Sequence, residues 1–153
     1  KKYFIELKKL IDEYGFTNKE FILELGCYLV ASAGYYLSKI VDIKESKGYK
    51  HIILAGGLNH IPTATLNGKH PFKIISMNQK KLYANQIEVI DEIVDIDGPL
   101  CTAEDKVLWD VYVEKAQIGD IVIIRQAGAY CYSAAWLEFL SHEYPVELII
   151  NNK

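Results

Sequence analysis

Two kinds of hydrophobic spacing divide this chain. In "YFIELKKLIDEY" (3–14), Phe4, Ile5, Leu7, Leu10 and Ile11 recur at helical spacing with charges on the other face, and Gly15 closes the segment. Beyond it the pattern changes to short runs, apolar or alternating and rich in β-branched and aromatic residues. These are "FILELGCYLV" (21–30), "YLSKIVDIKE" (36–45), "YKHIILAGGL" (49–58), "PFKIISMN" (71–78), "NQIEVIDEIVDID" (85–97), "DIVIIRQAGAY" (120–130) and "VELII" (146–150). The turn signals "SKG", "NGKHP", "DGP" and "IGD" fall between them. One helix followed by many short strands predicts a mainly β domain, a barrel or a sandwich. The Ala-Gly pairs at 33–34, 55–56 and 127–128 mark strand ends where a backbone bends or approaches a ligand closely.

Composition narrows the picture. With 153 residues the chain builds one domain with a real core but not two. A net charge of −3 with Arg125 as the only arginine argues against a nucleic-acid surface. No apolar run approaches the length of a membrane span. Cys27, Cys101 and Cys131 are odd in number and share no metal-type spacing, and neither His60 nor His142 supplies one, so no metal site is expected. Thiols in a reducing cytoplasm fit this usage best. The first residues lack both an initiator Met and the character of a signal peptide, which suggests a start inside a longer chain.

Three side chains could carry chemistry. Cys101, in "GPLCTAED" (98–105), is by residue type either a core thiol or a tuned proton donor or nucleophile. Glu24 stands between Leu23 and Leu25 in a stretch expected to be buried. It therefore calls for a partner: a cofactor nitrogen, a Lys or a backbone amide. Tyr130 follows "AGA" at a strand end, where it either packs or projects its hydroxyl into a cleft. The glycine turn "AGGLN" is by itself a weak phosphate signal.

Taken together, "ELGCYLVASAG", "GGLN", "GPLCTAED", "GDIVIIRQAGAY" and "FLSHEYPVELII" occur in an order and spacing that resemble the C-terminal half of the fold-type III, pyridoxal 5'-phosphate-dependent decarboxylases. That family includes the diaminopimelate and ornithine decarboxylases. The resemblance implies a C-terminal β-barrel or sandwich domain of the alanine racemase/decarboxylase type over residues 27–153. Residues 1–26 would be the tail end of an N-terminal (β/α)8 barrel, with "FILELG" as its last strand. The Schiff-base lysine would lie upstream, so residues 1–153 alone would be inactive. Glu24, matching the Glu of the family's Glu-Pro-Gly-Arg turn, would pair with the protonated pyridine nitrogen. Gly26 would admit the cofactor phosphate to backbone amides, and Tyr130 would donate its hydroxyl to it. Cys101 would reach across a homodimer interface and protonate the α-carbon as general acid, a role that an ordinary thiol pKa of about 8.5 suits.

The departures bear on substrate. Thr102 and Ala103 stand where these enzymes carry the acid that holds a distal ammonium. In "TATLN" (63–67), Thr63 and Asn67 replace an Arg and a Tyr that contact a diaminopimelate carboxylate. Both ends of diaminopimelate would lose their partners, so that substrate is disfavoured. The "CT" after "GPL", "RQAGAY" and "FLSH" instead resemble a subgroup that decarboxylates aminoacyl groups tethered to acyl-carrier proteins, as in butirosin-type biosynthesis, or acts on modified amino acids. Cys27 replaces the Arg of the turn; with Thr63 it motivates the alternative of an inactive homologue with a binding or regulatory role. Retention of Glu24, Cys101 and Tyr130 together favours the enzyme. An independent β-module used for scaffolding is a third reading, opposed by the non-Met start.

Overall fold

The computed structural model describes residues 2–62, 70–77 and 86–151. Its central strand is β1 (Tyr35–Ser46), in which Ser38, Ile40 and Ile43 face inward. Tyr35–Lys39 pair antiparallel with β6 (Ile121–Arg125), and Ile40–Ser46 pair antiparallel with β2 (Tyr49–Leu54). A bulge between Ile40 and Asp42 turns the strand from one neighbour to the other. Lys47 and Gly48, both at positive φ, close the β1–β2 hairpin. The sheet order is β3 (Phe72–Ile75), β6, β1, β2, β4 (Val89–Asp97), β5 (Lys106–Ala116), and β2 runs parallel to β4. This mostly-strand, nearly closed, barrel-like sheet is the mainly β architecture expected from the pattern. Inward-facing Ile40, Ile52, Leu54, Val94, Ile96, Leu108, Val122 and Ile124 are fully buried and form its core.

Three segments differ from the sequence expectation. β5 was not among the expected strands, because Asp110, Glu114 and Lys115 interrupt its hydrophobicity. Yet Val107, Trp109, Val111 and Val113 carry a period of two, and β5 pairs along most of its length with β4. Residues 21–30, expected as a strand, contain a one-turn helix at Gly26–Tyr28, and a second follows at Ala31–Ala33. A strand needs the N–H and C=O groups of a neighbour, and no strand among the described residues pairs with this segment. Val146, Glu147, Leu148 and Ile150 line a groove with β1, but residues 146–150 join no strand pairing. The helix α1 (Lys2–Glu13) forms as expected, with Phe4, Ile5 and Leu10 of its apolar face exposed. No helix among the described residues is long and apolar enough to cross a membrane.

Candidate active-site elements

The turn that links β4 to β5 presents Cys101. Leu100 before it is buried and anchors the turn in the core, whereas Cys101 itself is exposed. An exposed thiol is unusual for a residue type that ordinarily packs as a small hydrophobe. Thr102 is half-buried, and its hydroxyl donates to the carboxylate of exposed Glu104. Thr102 is therefore not idle: it holds a carboxylate at the turn's surface. The next acid, Asp105, turns inward, where it accepts backbone N–H groups from Leu58 and Leu100.

A second corner forms at the other end of the domain's sequence. Ala127 N–H donates to the Gly34 carbonyl at 3.0 Å, and Gly128 N–H donates to the Ala31 carbonyl at 2.9 Å. A Cβ on Gly34 would lie 2.3 Å from the Gly128 nitrogen, so the glycines of two Ala-Gly pairs serve backbone-to-backbone contact. This stitching carries Gly26 up to Tyr130: a Cβ on Gly26 would lie 3.6 Å from the Tyr130 hydroxyl oxygen. Gly26 has φ +50° and Tyr130 φ +62°. For Tyr130 that left-handed backbone costs roughly 1–2 kcal/mol. Its ring is 54% exposed, and its hydroxyl makes no hydrogen bond among the described residues, leaving it open to an outside acceptor.

The other expected site residues fare differently. Glu24 is exposed and has no ion pair or hydrogen bond among the described residues, which corrects the expectation of a buried, partnered carboxylate. Its neighbours Phe21, Ile22 and Leu23 are exposed with it, because residues 21–25 lie outside the sheet. Cys27, in place of an arginine, is half-buried. Thr63 and Asn67 lie outside the described residues. No hydrogen bond or ion pair among the described residues joins Cys101 to Glu24, Gly26 or Tyr130.

Two further features were not expected. A groove of roughly 880 Å³ between β1 and the segment 144–150 is lined in part by Tyr36, His60, Tyr132 and Tyr144, and by none of the expected site residues. His60 Nδ1 accepts from the Tyr36 hydroxyl at 3.0 Å, while its Nε2 donates to the Glu143 carbonyl at 2.8 Å, a network that assigns the tautomer. Burial pushes the Tyr36 hydroxyl up to about 12. Beside the Cys101 turn, the Lys106 ammonium pairs with buried Asp95, whose second oxygen accepts from Asp110 N–H at 3.0 Å. Burial opposes ionisation of Asp95, but these two donors outweigh it and hold its carboxyl below the ordinary range. His51 bonds Asp97 at 2.8 Å, and burial raises the Asp97 carboxyl. The spacing of His51, Asp95 and Asp97 would suit a cation, but Lys106 already neutralises Asp95.

An exposed cysteine on a clamped turn and a glycine–tyrosine corner both stand on one strand-built sheet domain. Residues 27–128 match the family described as pyridoxal-dependent decarboxylase, C-terminal sheet domain. The chain belongs to that family. It is similar to L-glutamyl-[BtrI acyl-carrier protein] decarboxylase of Niallia circulans, at 34% identity over 90% of this chain and 32% of that protein. It is also similar to the 2-[(L-alanin-3-ylcarbamoyl)methyl]-2-hydroxybutanedioate decarboxylase of Staphylococcus aureus, at 30% identity over 93% of this chain and 36% of that protein. Among solved structures, diaminopimelate decarboxylase from M. jannaschii in co-complex with L-lysine matches with a TM-score of 0.56 and 31% identity, over 72% of this chain and 23% of that one. The chain thus spans about a third of the length of the curated relatives it matches. The family's cofactor is pyridoxal phosphate, and the chemistry of the Tyr130 hydroxyl, which has no hydrogen-bond partner among the described residues, is compatible with donation to a phosphate oxygen.

Proposed function

We propose that this chain is the C-terminal portion of a pyridoxal-phosphate-dependent amino-acid decarboxylase whose sites lie at a homodimer interface. The observation that carries this reading is the presentation of Cys101, exposed between buried Leu100 and buried Asp105. When bound, the cofactor supplies the electron sink that makes loss of CO2 from an α-carbon feasible. Tyr130 would hold the cofactor phosphate through its hydroxyl, with Gly26 beside it. Exposed Glu24 is available to accept from the pyridine N–H. The Cys101 S–H bond breaks as the α-carbon gains its proton, and the thiolate is reprotonated from solvent.

For substrate, we propose a carrier-bound or modified amino acid rather than diaminopimelate. The Niallia circulans and Staphylococcus aureus relatives are named for an acyl-carrier-bound glutamyl group and a modified amino acid, and the carboxylate at the surface of the Cys101 turn, Glu104, is hydrogen-bonded by Thr102. The reading as an inactive homologue draws on Cys27 and Thr63.

One experiment separates these. The full-length protein, purified with pyridoxal phosphate, is expected to show a visible-range absorbance band that borohydride abolishes, with the cofactor left on a lysine by peptide mapping. Carrier-bound amino acids should then release CO2, and Cys101→Ala should slow turnover or divert its products while the cofactor stays bound. No band at saturating cofactor would favour the inactive homologue, and unchanged products in Cys101→Ala would remove the general-acid role.

A further inference from the structure

Four residues beyond Cys101 stands Asp105. Its carboxylate is buried, and its two oxygens are taken by amides from two loops. Leu58 N–H donates to Oδ1 at 2.5 Å, and Leu100 N–H donates to Oδ2 at 2.7 Å. Asp105 N–H in turn donates to the Thr102 carbonyl at 3.2 Å, and Gly98 N–H donates to the Asp105 carbonyl at 2.8 Å. The residues on both sides of Cys101 are therefore tied to this one aspartate, Leu100 through its carboxylate and Thr102 through its amide. Gly57 and Gly98 form the slot that admits it. A Cβ on either would stand 2.2 Å from a carboxylate oxygen, closer than any side chain could be tolerated.

We infer that Asp105 is the positioning residue of the Cys101 proton donor: it sets the thiol's place by fastening the turn 98–105 to the glycine loop 56–59. The inference rests on the reading of Cys101 as general acid. A carboxylate suits the task because both of its oxygens accept, so it can take one amide from each loop. In Asp105→Asn one of the two N–H groups would face an NH2 donor instead, and one loop would come away. A proton donor displaced by about 1 Å can lose on the order of 100-fold in rate.

The test uses the full-length holoprotein. Asp105→Asn is expected to lower turnover roughly 10- to 100-fold, to leave cofactor affinity unchanged, and to alter the rate at which iodoacetamide alkylates Cys101. In a Cys101→Ala background the same change should add little, because residues that act as one unit are non-additive. Equal losses in both backgrounds would show that Asp105 acts on the fold at large and would overturn the inference. Should Cys101→Ala leave turnover unchanged, the general-acid reading fails by itself; an unchanged alkylation rate in Asp105→Asn would then sink the positioning role independently. If Asp105→Asn does not fold, amide exchange of the unaltered protein decides. Leu58 and Leu100 amides should be protected well beyond their loop neighbours, and exchange at ordinary loop rates in both would refute the clamp.

Discussion

Single side chains at the surface of this domain divide into those committed to the fold and those left open. Tyr130 is open: its backbone takes a costly conformation and its hydroxyl has no partner among the described residues. Strain of this kind persists where the surroundings impose it, and a ligand contact is one thing it can serve. Tyr130→Phe in the full-length protein is expected to weaken pyridoxal phosphate binding by roughly tenfold, the worth of one hydrogen bond to a charged group; an absorbance titration would read it. Lys106 is committed. Its partner Asp95 is buried while the ammonium is about half exposed, so solvent screening discounts the pair. Lys106→Met should cost about 1–2 kcal/mol in urea denaturation at neutral pH. The sign with pH follows from the depressed Asp95 carboxyl. Its contribution is present above the ordinary carboxylate value near 4 and is lost as pH falls through the lower folded value. The gap between wild type and Lys106→Met should therefore close in acid. A gap that stays undiminished however far the pH falls below the ordinary carboxylate value would remove the ion pair as its cause.

At the scale of elements, local pattern was legible where strands bury alternate residues, and illegible where a segment's state depends on what it meets. β1, β2, β3, β4 and β6 each fall within or beside an expected run, because Ile, Val and Leu repeat at period two between clear turns. β5 hides the same period under exposed Asp110, Glu114 and Lys115, whose outward positions dilute the apolar signal. Leu108, fully buried in β5, should cost about 2–5 kcal/mol as Leu108→Ala, and a loss below about 1 kcal/mol would mean that β5 packs more loosely than described. The segment 21–30 has the composition of a strand but no ladder to join, so composition alone could not give its state. Of the candidate site, Cys101, Gly26 and Tyr130 could be singled out from their motifs, but the exposure of the thiol could not, because residue type left Cys101 open between core and surface. The inward turn of Asp105 was not, since it depends on Gly57, more than forty residues away in the chain.

On the scale of the whole molecule, Cys101 and Tyr130 stand on one domain, and no hydrogen bond or ion pair among the described residues joins them. Cys101 sits on the β4–β5 turn, and Tyr130 sits beyond β6, stitched to the glycines before β1. Under the dimer proposed above, the two belong to different reaction centres. Co-expression of full-length Cys101→Ala with Glu24→Ala subunits should then regain roughly a quarter of wild-type turnover, since half of randomly paired dimers carry one intact site of two. No recovery beyond either variant alone would mean that both side chains act within a single subunit.

The segment 146–150 beside β1 bears on how residues 1–153 behave in solution. Val146, Leu148, Ile149 and Ile150 are each more than 80% exposed, interrupted only by Glu147. A strip of this kind, lacking proline within it and rich in β-branched residues, is a template for intermolecular strand addition. Copies of the isolated chain would therefore zip together through it, and turbidity or thioflavin fluorescence growing with concentration would be the visible sign of that cross-β assembly.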